Sequence, residues 1–118
     1  MTSPRASFRN AGAAGRFTLD AVAIGLPRVS FHDAEVHALR LDRDGPTLEL
    51  ELTVVAPTPR MVRLRFENVS GLDLVDFNEQ NVLFDLKIAT TEDGDLAVEV
   101  QPTYGIGAKF RCSSVVEA

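Results

Sequence analysis

The sequence predicts a mostly β protein, α+β at the margin: a single antiparallel domain, built as a sandwich or a partly open barrel of about six strands with one or two short helical segments. Two observations support this fold class. Apolar residues alternate with polar ones along several runs of the chain, and turn signals separate these runs at intervals of roughly 8 to 12 residues. The length of 118 residues is typical of one domain.

The first part of the chain differs in composition from the rest. Residues 1–16 are rich in Ala, Gly, Ser and Arg and contain few large apolar side chains, so we predict a flexible N-terminal tail. Residues 17–118 are predicted to form the single antiparallel β domain. Its first stretch, FTLDAVAIGLP, suits a short helix capped by Thr18 or Asp20 and ended by Gly25 and Pro27, with an edge strand as the alternative.

The clearest strands flank the turn at Asp44-Gly45-Pro46. AEVHALRLD precedes this turn and TLELELTVV follows it, and MVRLRFENV comes after a proline-containing loop. Alternation predicts that one face of the second and third strands is core: Leu48, Leu50, Leu52 and Val54, then Val62, Leu64 and Phe66. Antiparallel pairing of these two strands would bring Arg63 and Arg65 across from Glu49 and Glu51.

Three further strands are predicted in the second half of the chain. SGLDLVDFNEQ is predicted to be a polar connection with one possible helical turn, and NVLFDLKIA then places Val82, Phe84, Leu86 and Ile88 on one face. The tight turn at Asp93-Gly94 leads into LAVEV. The last strand is AKFRCSSVV, in which Cys112 is predicted to be a buried, inert thiol.

Charge and cysteine content restrict the classes of function. The net charge is −5, but residues 1–16 carry three arginines and no acid, which leaves nine basic against 17 acidic residues in the rest. An acidic domain disfavours binding to nucleic acid or to an anionic membrane, and it is compatible with a basic protein partner. A single cysteine excludes an intrachain disulfide, so we predict a cytoplasmic protein. No cofactor motif is found and no cofactor is expected.

The stretch SFHDAEVHALRLD concentrates potential metal ligands at the start of a strand. His32, Asp33, Glu35 and His37 lie within six residues, and a regular strand would place Asp33, Glu35 and His37 on one face, a set that suits zinc, iron or manganese. Asp33 and Glu35 are also the best candidates for acid-base chemistry. The alternative is structural: Asp33 binds backbone amides, Phe31 fills the core and Glu35 pairs with an arginine. No nucleophile elbow or phosphate loop is found, so an enzyme is not expected.

Several segments together resemble a known family. SFHDAE followed by a strand, then LRFENVSGL, DFNEQNVLFDL and GAKFRCSSVVE, is similar to bacterial polymorphic-toxin immunity proteins of the small, mostly β type with an FHDAE-like start. The resemblance covers about residues 29–117. The motif positions that carry it are Phe31, His32, Asp33, Glu35, Phe77, Asn78, Gln80, Phe110 and Cys112.

The resemblance implies a non-catalytic immunity protein that binds and neutralises a cognate toxin domain. Combined with the acidic charge, it leads us to predict a partner-binding surface that includes Asp33, Glu35, Asp73, Asp76 and Glu79. The protein is expected to be a monomer or a weak homodimer through an edge strand. The alternative function is a metal- or small-ligand-binding β domain that uses His32, Asp33, Glu35 and His37.

Overall fold

The computed structural model of the protein describes residues 30–55 and 58–118. The predicted tail at residues 1–16 and the predicted helix in FTLDAVAIGLP lie outside the described residues. The domain boundary at residue 17 therefore stays a prediction.

The described residues form eight antiparallel strands and contain no helix. The strands are β1 (Glu35–Asp42), β2 (Thr47–Val54), β3 (Arg60–Glu67), β4 (Ser70–Val75), β5 (Val82–Thr90), β6 (Leu96–Tyr104), β7 (Gly107–Cys112) and β8 (Ser114–Glu117). Their order in the sheet is β4-β7-β6-β5-β1-β2-β3-β8, so β4 and β8 are the edges. The prediction of a mostly β, antiparallel protein is confirmed.

The pairing of β2 with β3 follows the predicted register. Glu49 lies opposite Arg65 and Glu51 opposite Arg63, with Arg65 Nε 3.3 Å from Glu49 Oε2 and Arg63 Nη2 3.7 Å from Glu51 Oε1. The apolar residues predicted for the other face of these strands are all buried. A strand with one apolar face has one register that buries that face, which is why the sequence alone specified this pairing.

Two strands were not predicted. SGLDLV forms edge strand β4 instead of a connection with a helical turn, because Leu72 packs against the core and the segment pairs with β7. The expected last strand is divided at Ser113, whose backbone N–H donates to the carbonyl of Glu67 at 2.7 Å. This turn transfers the chain from β7 to β8, which pairs with β3.

The sheet curls so that its two halves share one core. Between β1 and β5 the register contains the single pair Glu35 and Val82, whereas Phe66 of β3 meets Phe110 of β7 edge to face, with ring centroids 5.0 Å apart. These two strands lie far apart in the sheet order, so their contact requires the inner faces of the halves to pack together. Cys112 is buried in this core, as predicted.

Irregular pairing in β1 and β5 changes which side chains face the core. The register of β5 against β6 shifts twice between Val82 and Asp85, and Leu83 is buried while Phe84 is 53% exposed. The prediction that Phe84 shares one face with Leu86 and Ile88, which are both buried, is therefore wrong. A similar shift between Val36 and Ala38 interrupts the alternation of β1. An extra residue in one strand moves the following side chains to the opposite face.

Candidate functional site

Three segments meet around the side chain of Asn81, where β1 and β5 begin and the two halves of the sheet join. We call residues 30–36, 74–85 and 101–107 together the acidic rim. Asn81 is 2% exposed, and its Oδ1 accepts hydrogen bonds from the backbone N–H groups of Asn78 and Ile106, each at 2.9 Å. Its Nδ2 donates to the carbonyl of Asn78 at 2.7 Å. The carbonyl of Asn81 accepts from the N–H of Val36 at 2.8 Å, so this residue connects all three segments.

The FHDAE stretch is a tight turn that enters β1. The N–H of Ala34 donates to the carbonyl of Phe31 at 3.1 Å, and the Phe31 ring is buried as predicted. Asp33 has a φ of 67°, a left-handed conformation that Asp adopts more readily than most residues. The turn is held to β5, because the N–H of Asp33 donates to the Leu83 carbonyl and the N–H of Leu83 donates to the Ala34 carbonyl, both at 2.8 Å.

The two histidines have separate partners. His32 Nδ1 donates to the carbonyl of Phe84 at 2.8 Å, and its ring meets the Phe84 ring edge to face at 5.3 Å. His37 Nε2 is hydrogen-bonded with Thr53 Oγ1 at 2.7 Å. Among residues 30–55 and 58–118, no three His, Cys, Asp or Glu side chains are grouped so that they could hold a metal ion. The metal hypothesis gains no support from this geometry.

The structural alternative for the FHDAE stretch assigned one role each to Asp33, Phe31 and Glu35, and the structure shows one of these three roles. Phe31 fills the core. Asp33 was predicted to bind backbone amides of the turn, but the backbone N–H of His32 donates instead to Ser30 Oγ, at 3.3 Å. Glu35 is exposed, and its strand neighbours are Thr53 and Val82, neither of which is an arginine. The carboxylate of Glu35 therefore faces solvent.

Four of the five predicted partner-binding residues belong to the rim. Asp33, Glu35, Asp76 and Glu79 are exposed there, whereas Asp73 lies further along β4, opposite Lys109 of β7. The rim segments contain five acidic residues, with Asp85 as the fifth, and no lysine or arginine. The one basic group in these segments is the imidazole of His32, whose Nε2 lies 3.7 Å from Asp33 Oδ1.

Four acidic residues elsewhere on the described surface, Glu49, Glu51, Asp93 and Glu117, are paired with arginine. Glu49 lies between Arg40, at 3.0 Å, and Arg65, at 3.3 Å, and Glu117 lies 3.4 Å from Arg60. These pairs stabilise strand register and reduce the local field. The rim segments differ from these parts of the surface in charge balance.

The resemblance motifs divide between this rim and the core. Phe31, His32, Asp33, Glu35, Phe77, Asn78 and Gln80 lie on the rim, while Phe110 and Cys112 are buried in β7. Sequence reasoning missed Asn81, Gly105, Phe84 and Tyr104. Two of them had a signal in the sequence: Asn81 is a polar residue directly before an apolar strand, and Gly105 is a glycine inside YGIG. No sequence signal indicates that the rings of Phe84 and Tyr104 are exposed.

Together, fold and site define a small all-β protein whose acidic rim carries exposed aromatic rings. No recognisable set of catalytic residues is present among the described residues. A family model described as Immunity protein 50 matches residues 27–117. The chain belongs to this immunity protein family, and the predicted resemblance to immunity proteins is confirmed. That the FHDAE stretch is a hallmark of the family stays a prediction.

Comparison with curated proteins and comparison with solved structures give no match. The described residues include no helix of the length and hydropathy that would be needed to cross a bilayer.

Proposed function

We propose that the protein is a non-catalytic, cytoplasmic immunity protein that binds a cognate bacterial toxin domain and neutralises it. The membership of residues 27–117 in the Immunity protein 50 family carries this proposal. Immunity proteins are generally not enzymes, and neutralisation by binding needs a complementary surface rather than catalytic groups.

The acidic rim is the proposed toxin-binding surface, and the toxin is proposed to present a basic face to it. Five carboxylates with no lysine or arginine in the same segments attract a cationic partner and raise the rate of encounter. The exposed carboxylates of Asp33, Glu35, Asp76 and Glu79 are the proposed contacts. Asp73 is a weaker candidate, because Lys109 lies opposite it.

The partner is first identified by affinity capture of the tagged full chain from a lysate of its native bacterium, followed by mass spectrometry. The expected result is one near-stoichiometric protein with a toxin-like domain. The captured domain should arrest growth when it is expressed alone, and co-expression of this chain should restore growth. Failure to protect cells from any captured protein would contradict the proposal.

The acidic surface is tested by changing charge without changing conformation. Asp33 and Asp76 both have positive φ, at 67° and 57°, and Asn is well tolerated there, so Asp33→Asn and Asp76→Asn should fold normally. The two substitutions should lower the association rate constant for the captured toxin domain and make that rate constant less dependent on salt concentration.

The matched control is Asp44→Asn, an exposed acid in the turn between β1 and β2. Asp44 lies beyond the far end of β1 from the FHDAE turn. Because β1 has eight residues, this separation is about 25 Å. An equal effect of the control and rim variants would assign the charge effect to net charge alone.

Self-association through edge strand β4 or β8 is a separate prediction, checked by sedimentation of the chain alone.

A further inference from the structure

We infer that Phe77, Phe84 and Tyr104 are the apolar anchors with which the acidic rim holds its basic protein partner. This inference rests on the proposed function and names the part of the surface that supplies tight binding. Of the six aromatic side chains in the described residues, three are core and these three are exposed by 46%, 53% and 57%. All three exposed rings belong to the rim.

The exposure of Phe84 results from a specific backbone irregularity. Simple alternation would place this ring in the core, and the register shifts between Val82 and Asp85 turn it outward. Irregular pairing of this kind interrupts the ladder and re-aims a side chain, and it is common near functional sites. Leu83 takes the core position, with no exposed surface, so turning Phe84 outward does not leave the core unfilled.

Phe84 is also held in place before any partner binds. His32 donates to its backbone carbonyl at 2.8 Å and packs edge to face against its ring. Tyr104 lies opposite Val82 across the β5–β6 ladder, so it projects from a paired strand rather than from a loose loop. Rings fixed by strands lose little conformational freedom on binding, which favours them as anchors.

The surrounding charge decides which occupant this surface fits. The three segments that carry the rings also carry five carboxylates and no lysine or arginine. A second copy of the chain docked symmetrically would oppose like charges, at a cost, whereas a basic protein would gain attraction around an apolar centre. Aromatic anchors surrounded by polar residues are the usual organisation of a tight protein interface.

The test measures binding of the captured toxin domain to the full-length chain by calorimetry and by surface kinetics. Phe84→Ala and Tyr104→Ala are each expected to weaken binding by about 30-fold or more, mainly through faster dissociation. The salt dependence of association should stay as in the wild type, because no charge is removed. Met61→Ala and Val116→Ala, at exposed apolar positions outside the rim, should change affinity less than threefold.

Each other result has a defined meaning. Wild-type affinity in both aromatic variants, with the wild-type chain still binding, would overturn this inference and leave the proposed function standing. No binding by the wild-type chain would overturn both. Wild-type self-association that Phe84→Ala abolishes would show that a second copy covers the rings, and would also overturn the inference. Urea midpoints within about 0.5 M of the wild type confirm that the variants are folded.

Discussion

Replacement of Asn81 by Ala is the most direct test of how the acidic rim is held together. The side chain makes three hydrogen bonds, two of which it accepts from the backbone N–H groups of Asn78 and Ile106. Ile106 has no exposed surface, so its N–H would be left buried without an acceptor. Three net hydrogen bonds contribute about 3 kcal/mol, and the unsatisfied amide adds to this, so Asn81→Ala should destabilise the protein by about 3–4 kcal/mol.

The assay is urea denaturation followed by far-ultraviolet circular dichroism, since the chain contains no tryptophan for a fluorescence signal. With a slope of about 1.5 kcal/mol per molar urea, the midpoint should fall by about 2 M at unchanged slope.

The matched control is Asn78→Ala, three residues earlier in the same segment. Asn78 is exposed and contributes backbone atoms to the bonds with Asn81, so its truncation should cost less than about 0.5 kcal/mol. Equal midpoints for the two variants would refute the reasoning that the buried amide joins the three segments.

Three further outcomes are expected. Gly105→Ala should lower the free energy of unfolding by about 3 kcal/mol or more, because the new Cβ would lie 2.5 Å from Asn81 Oδ1 and 2.6 Å from the Gln80 carbonyl oxygen, at a φ of +89°. The control is Gly71→Ala, where φ is +63° and no atom lies within 4 Å of the new Cβ. It should cost only about 1 kcal/mol when both variants are compared by thermal unfolding. Glu49→Gln should cost about 0.5–1 kcal/mol at low salt and less in 1 M NaCl, since it removes the carboxylate shared by two arginines. The pKa of Asp93 is lowered, first by a hydrogen bond from the Thr91 hydroxyl, then by the Asp95 backbone and by Arg111. Its stabilising effect is therefore present above the unfolded-state pKa and is lost as pH falls through the folded-state value. Asp93→Asn should lower the melting temperature at pH 7, and its difference from the wild type should shrink as the pH is lowered.

The regular part of the fold was predictable from the sequence. In β2 and β3 the leucines and valines alternate with charged residues without interruption, so burial of one face fixed both the core residues and the pairing of Glu49 with Arg65. Strand β4 was harder to predict, because an edge strand that pairs on one side and contains three turn-favouring residues has little of this alternation.

The candidate site was predictable in part. Its acidic charge follows from composition, and the sequence predicts Asp33, Glu35, Asp76 and Glu79 as partner-binding residues. Their common location depends on hydrogen bonds between segments far apart in sequence, such as that from the N–H of Leu83 to the carbonyl of Ala34, 49 residues earlier. No local pattern encodes a contact of that separation.

The mostly β class, the register of the central strands, the acidic charge and membership in an immunity protein family could be predicted from the sequence, because each depends on residue identity or on the two-residue period of a strand. The meeting of three segments at Asn81 and the outward direction of Phe84 are properties of the tertiary structure. Both depend on irregular backbone pairing, in which distant hydrogen bonds override the local alternation of apolar and polar residues.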